Sequence, residues 1–415
     1  MLRVRLGSPY GWASNQRERS SGRATVGKGR DMLAVMGCLR EMPSAFPVSH
    51  AENAGNMIHG NAPFEMFNEV IHAGDSGAFR SRGHGSFADF VNNEASHLIL
   101  TLANTLKAGD EDGKRYERMT SFLKKIEKPV VVFGLGVQAQ TQDVDDIMLH
   151  PAAREMIRLL ADKSPQVGVR GRLTAQVLEK ECGVTDVRVT GCPSLLSRPD
   201  ALVALRKATR RDALTGRPAF NGTKFHQASE KNALHRALRA GHFLVEPVNK
   251  HNHAFYVAAS RGEAAEVPYF LKSYASAGGE AAGTAEAEVE LRRLFRENYR
   301  LFRSTQAWYD FTSESVSYGY GTRFHGNMAT ILSGRPALWI THDARTSELV
   351  EFAHLPNVTQ SQFDEMGWEG VENHLDFEPF FRHISEIFDN FNDYLRVNGI
   401  SPIRTYKDAS ASTPS

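Results

Sequence analysis

Residues 315–341 constrain the fold more than any other stretch. Ser315-Val316-Ser317-Tyr318-Gly319-Tyr320 alternates and runs into glycine, the pattern of a strand ending in a turn. Phe324, Met328, Ile331 and Leu332 then recur at helical spacing until Gly334 and Pro336 stop the run. Ala337-Leu338-Trp339-Ile340 follows as a short apolar strand. The unit therefore predicts strand, tight loop, helix, strand. Its loop, Gly321-Thr322-Arg323-Phe324-His325-Gly326, falls at the carboxyl end of a strand and the amino end of a helix. Free backbone N–H groups and the helix dipole favour an anion at such a place. Gly321 permits a positive φ, Arg323 offers a planar fork of donors, and His325, in the first helical turn, exchanges a proton near neutral pH. Either side chain alone is more often a surface residue or a hydrogen-bonded bystander. Together, with the residues that follow, they suit an anionic substrate and a proton transfer.

The same alternation recurs upstream. Val130-Val131-Val132-Phe133 is continuously apolar, as a strand buried on both faces should be. Pro151 suits a first helical position, with Ala153, Ile157 and Leu160 behind it. Residues 167–169 read as the next strand, and Leu173, Val177, Leu178 and Cys182 as another helical stripe. This predicts an α/β protein with parallel sheets, whose right-handed crossovers put the carboxyl ends of the strands on one edge. Arg170 would then face the same crevice as the 134–138 loop, a structural salt bridge being its other reading. The expected organisation is a basic disordered leader at 1–30, one Rossmann-like domain at 31–205, a second at 206–375, and an amphipathic helix with a tail at 376–415. The stripe Phe377, Phe380, Phe381, Ile384, Ile387, Phe388, Phe391, Leu395 should cross back onto the first domain. Residues 242–246 and 254–257 read as strands, 285–302 as a helix, 276–284 as a flexible connection, and 74–85 as a loop over a cleft. His251 and His253 read as part of a solvated loop, because no third ligand completes a metal set.

A chain of 415 residues, 41% hydrophobic and 23% charged, has the material for about two globular domains. A formal charge of +1 gives no reason to expect nucleic acid or an acidic membrane as partner. No run approaches the ~18 apolar residues of a membrane span. The three cysteines, Cys38, Cys182 and Cys192, lack metal-pair spacing and fit a reducing compartment. A cytoplasmic enzyme is expected, with room for peripheral association at the inner face of the membrane. The leader has no apolar core of a secretory signal; a disordered leader or an upstream start suits it better than a transit peptide.

The Gly-x-Arg-x-His-Gly loop is followed by Gly334-Arg335-Pro336, an apolar strand and Asp343-Ala344-Arg345. This arrangement resembles the polysaccharide pyruvyl transferase family. Members commonly carry Lys where this chain has Arg345, which keeps the charge and changes its shape. Residues 129–138, ending in Gln138, are similar to the family's buried strand and glycine turn, and residues 167–193 to its next strand-helix-strand unit. Many members have Asp-Pro at Cys192-Pro193, so any role of that Asp is absent here. Asn53-Ala54-Gly55-Asn56-Met57-Ile58 is a weaker match to the first glycine-rich turn.

The resemblance implies two Rossmann-like domains facing across a cleft, similar to GT-B glycosyltransferases. It also implies phosphoenolpyruvate as donor, a glycan or lipid-linked sugar with two free hydroxyls as acceptor, and a pyruvate ketal and phosphate as products. Such a donor carries close to three negative charges and must gain a proton at C3. His325 and Arg323 are the expected catalytic residues. Arg345, Arg170, Gly321, Asn56 and Gln138 are the expected substrate contacts, with no metal and no cofactor beyond the donor itself. His325 should be neutral alone and gain basicity when the donor binds. A nucleotide-sugar glycosyltransferase and a non-catalytic glycan-binding relative are the other readings. The residues specify neither the acceptor sugar nor an oligomeric state.

Overall fold

A computed structural model of the protein describes residues 32–49, 53–139, 141–209, 214–222, 228–245, 250–268 and 285–412. The expected leader at 1–30 and the glycine-rich connection at 276–284 lie outside the described residues. The fold is α/β with two parallel sheets. In the first, the strands run in the order Val70–His72, Leu33–Gly37, His97–Thr101, Val130–Phe133. The pair Val167–Val169 and Val187–Val189 continues it, joined through a parallel bridge between Leu135 and Val169. The second sheet runs Tyr299–Arg300, Phe243–Val245, Arg217–Phe220, Val316–Gly321, Ala337–Thr341, Asn357–Thr359. Val130, Val131, Val132 and Phe133 are wholly buried, which explains why that strand carries no polar face. These are two Rossmann-like halves, as the alternation of strands and helices anticipates.

An apolar core is shared between the halves. Leu33, Val131 and Phe133 of the first sheet, Ala219 and Trp339 of the second, and Phe380, Phe388 and Phe391 of the last long helix belong to one cluster. That helix, Glu378–Val397, does cross back to the first half. Phe391 meets the Phe133 ring edge-on at 5.4 Å, and the Asn390 side chain donates to the Val189 carbonyl. The Tyr394 hydroxyl donates to the Val132 carbonyl at 2.7 Å and accepts from the Val132 N–H at 3.1 Å. Removing the hydroxyl leaves two buried backbone groups unpaired, each costing about 1–3 kcal/mol. Tyr394→Phe should therefore lower the urea midpoint by an amount equivalent to about 2 kcal/mol or more, with the slope of the transition unchanged. An unchanged midpoint would show that water replaces the bonds at no cost.

Several expectations are corrected. Residues 254–257 are helical, within Lys250–Arg261, because Asn252, Phe255, Ala258 and Ala259 form one buried face. His251 and His253 therefore sit on a helix, not on a loop. The helix expected to reach 302 stops at Asn298, and Tyr299–Arg300 joins the second sheet as an edge strand beside Leu244 and Val245. The 74–85 stretch contains a short helix, Ser76–Arg80, capped by the Asp75 carboxylate. A helix over Asn56–Met66 was not expected at all.

Candidate active site

The loop after Val316–Gly321 is shaped by Asn221, which follows the neighbouring strand. Gly321 has φ +142°, and a Cβ there would lie 2.1 Å from the Asn221 carbonyl oxygen, so only glycine fits. That carbonyl accepts the Arg323 N–H at 2.9 Å. The Asn221 amide donates to Asn327 Oδ1, and the Asn327 amide donates to the Gly321 and Leu338 carbonyls. These bonds fix the start of helix Phe324–Ile331, whose first turn holds His325. The Arg323 N–H is thereby committed to Asn221.

His325 meets the first half through two groups that sequence reasoning overlooked as partners. His59, on helix Asn56–Met66, is wholly buried, and Cys192 is buried beside it. Cys192 Sγ lies 3.5 Å from His325 Nε2, 3.5 Å from His59 Nδ1 and 3.0 Å from Ser194 Oγ. His59 Nε2 donates to the Phe133 carbonyl at 3.1 Å, which leaves Nδ1 as the bare nitrogen. Gly134, at φ +64°, carries the chain over this ring; a Cβ there would lie 2.8 Å from His59 Cε1. The Gly134 and Gly321 loops thus close on one place.

Three arginines surround it. Arg170 is 1% exposed; its Nη1 donates to Asn104 Oδ1, while Nε and Nη2 have no hydrogen-bond partner. Arg345 pairs with Asp343 at 3.1 Å, and its buried Nε has no hydrogen-bond partner. Burial works against the Asp343 charge, but Arg345 and the Thr346 amide hold its pKa below the ordinary value. Burial, then Arg170, His59, Arg345 and Arg323, press the His325 pKa well below its usual value. His325 is neutral, as expected, but burial and the arginines are the resolved causes, where the sequence suggested the helix end. The weighting of the arginines also changes: Arg170, the least certain of the three from sequence, is the most deeply buried, and among the described residues it makes no salt bridge, although the Glu348 carboxyl acts on it from further off.

The halves are clamped next to these arginines. Glu348, one turn beyond Arg345 on helix Ala344–Ala353, accepts from the Thr174 N–H at 3.0 Å and from the Thr174 hydroxyl at 3.1 Å. A carboxylate from one half thus caps helix Arg172–Cys182 of the other, directly after Arg170. A Cβ at Gly171 would fall 1.7 Å from Glu348 Cγ, so the clamp needs glycine there. The other two expected contacts lie on flanking segments: Asn56 follows Gly55, where a Cβ would lie 3.4 Å from His325 Cβ, and Gln138 follows the Gly136 turn, where a Cβ would lie 2.8 Å from Arg170 Cδ. Asn56 is half-buried at the start of the His59 helix, with its N–H on the Asn53 carbonyl. Gln138 is exposed on a two-residue strand beside Lys107.

Burial pushes the His59 pKa down to about 3, with Arg170 adding to the effect and the Phe133 carbonyl opposing it. Between the ordinary value near 6.5 and about 3, the unfolded chain holds a proton here that the folded chain does not. Stability is therefore complete above pH 6.5 and falls below it, by about 1.4 kcal/mol per pH unit from this residue. Urea denaturation at pH 7.5 and pH 5 should show this loss, and His59→Gln should make the dependence shallower. An unchanged dependence in the variant would contradict the assignment.

The family model for polysaccharide pyruvyl transferase matches residues 53–344, which include His59, Arg170, Cys192, Arg323 and His325. The chain belongs to the polysaccharide pyruvyl transferase family. It is accordingly a transferase, and membership implies a sugar or glycan acceptor. No curated protein matches the sequence. Among solved structures, the chain is similar to the UDP-GlcNAc 2-epimerase of Neisseria meningitidis bound to UDP-GlcNAc, at 12% identity and TM-score 0.37, covering 92% of this chain and 97% of that one. It is also similar to S. aureus MnaA with UDP, at 11% identity and TM-score 0.38, covering 90% and 99%. A third similar structure is UGT2 of Phytolacca americana, at 8% identity and TM-score 0.34, covering 89% and 95%. Among the described residues, no helix is long and apolar enough to cross a membrane.

Proposed function

We infer that this family member moves the enolpyruvyl unit of phosphoenolpyruvate onto two hydroxyls of a sugar, forming a pyruvate ketal and releasing phosphate. The observation that carries this reading is Arg170, a fully buried guanidinium with two unpaired nitrogens beside His325. Leaving such a group without an anion is costly, and a phosphate or carboxylate is the natural complement of its planar fork. Arg323 and Arg345 add charge for a donor with nearly three negative charges. Asn56 and Gln138 are candidates for contact with substrate.

The proposed chemistry balances with His325 as the proton carrier. The bound donor offsets the arginines and raises the His325 pKa, so the imidazole becomes protonated when the donor is present. His325 gives that proton to C3, and C2 becomes electrophilic enough for the first hydroxyl to attack. Phosphate leaves C2 and the second hydroxyl closes the ketal. Of the two hydroxyl protons released, one restores the imidazolium and the other leaves on hydrogen phosphate. Incubation with phosphoenolpyruvate and glycans bearing neighbouring hydroxyls should release phosphate and raise the glycan mass by one pyruvate less one water. Glycosyl transfer from a nucleotide sugar, with no phosphate released from phosphoenolpyruvate, would replace this reading by the glycosyltransferase one. Glycan binding without turnover of either donor would indicate a non-catalytic role.

A further inference from the structure

We propose that His59, Cys192 and His325 form a three-ligand site for a soft divalent metal ion of the Zn2+ type. No spacing motif marks it, because the cysteine lies 133 residues from each histidine. The structure brings all three side chains together, buried, with their ligand atoms within 4.8 Å of one another.

The distances suit a metal. A tetrahedral ion with Zn–S near 2.3 Å and Zn–N near 2.0–2.1 Å holds sulfur and nitrogen about 3.5 Å apart. Cys192 Sγ is 3.5 Å from His59 Nδ1 and 3.5 Å from His325 Nε2. Two nitrogens on one such ion would be about 3.3 Å apart, and the two imidazole nitrogens lie within 4.8 Å of each other. His59 also has the support expected of a ligand. Its Nε2–H is held by the Phe133 carbonyl, which presents bare Nδ1 to the site. Thiolate and imidazole select zinc-like ions over magnesium or calcium, which prefer oxygen.

The charge around the site sets its character. Arg170, Arg345 and Arg323 near His325 oppose a bare dication. Loss of the Cys192 proton removes one positive charge, and an anion in the fourth position removes more. A metal-bound imidazole cannot become imidazolium, so metal binding and proton transfer compete for His325. Zn2+ should therefore inhibit pyruvyl transfer; that consequence rests on the proposed function, whereas the site does not.

Cobalt titration of the full chain, after treatment with a chelator, tests the site without any turnover measurement. One equivalent of Co2+ should bind, with intense thiolate-to-cobalt absorption in the near ultraviolet and visible bands of a four-coordinate ion. Zn2+ should displace it and Mg2+ should not. Cys192→Ser should lose the thiolate band and weaken Co2+ binding on the order of 100-fold or more. His59→Gln should weaken binding while keeping the thiolate band. Absence of a thiolate band in the unmodified protein overturns the proposal, and so does the same band in Cys192→Ser. Because the unmodified protein gives the first answer, a misfolded variant does not shield the idea. Failure of pyruvyl transfer would leave this titration as readable as before.

Discussion

His325→Gln is expected to lower turnover on the order of 10²- to 10⁴-fold while phosphoenolpyruvate still binds. The imidazole is the titratable group around which Arg170, Arg345 and Arg323 converge, and its neutral resting state follows from burial and from those cations. On the proposed reading, a donor with close to three negative charges should reverse that field and create the acid when it binds. Glutamine fills a similar volume and keeps hydrogen-bonding capacity, but it carries no proton to C3. The arginines remain, so donor affinity should change little. Near-normal turnover in the variant would remove His325 from the chemistry. Equal loss of binding and turnover would make it a binding residue instead.

Arg170→Met should act in two opposite directions. Donor binding should weaken by about 2 kcal/mol or more, roughly 30-fold, the scale of a lost charge-assisted hydrogen bond. The unliganded protein should become more stable, because replacing a buried charge by an apolar side chain of similar volume is often worth about 1–4 kcal/mol. Among the described residues only Asn104 loses a hydrogen-bond partner in the exchange, against two guanidinium nitrogens that had none. A structural salt bridge at Arg170 would give the reverse pattern, with lost stability and donor binding intact. Thermal unfolding with and without phosphoenolpyruvate separates the two, since only a ligand-binding loss also removes the ligand's stabilising shift.

The second half of the fold was legible because its loop lies between a strand and a helix with clear periods. Gly321 and Gly326 stand out in sequence, and the structure shows why they are glycines: Asn221 occupies the space their side chains would need. The strand Val130–Phe133 and the helix Glu378–Val397 were legible for the same reason, since burial on two faces or on one stripe leaves a pattern. The helix Asn56–Met66 left none. Met57 through Pro63 are buried on every side, so no polar face marks the period. Gly60 and Pro63, both helix breakers, sit in its interior; a Cβ at Gly60 would lie 2.3 Å from the Leu39 carbonyl oxygen. His59 was hidden with that helix. Cys192 was visible only as a departure from the family's usual residue, and its position between two histidines is a property of the folded chain. Residues 254–257 misled in the other direction, being apolar enough for a strand, whereas of the four only Phe255 lies on the buried face of the helix, against Phe295.

An anionic donor entering among Arg170, Arg345 and Arg323 should raise the His325 pKa and draw a proton onto the imidazole from solvent. Calorimetric titration of phosphoenolpyruvate at pH 7, in buffers of different ionisation enthalpy, measures this directly by counting protons taken up. The unmodified protein should bind phosphoenolpyruvate and take up more protons than His325→Gln, the difference approaching one per donor bound. No binding of phosphoenolpyruvate, or the same proton count in both proteins, would contradict the account.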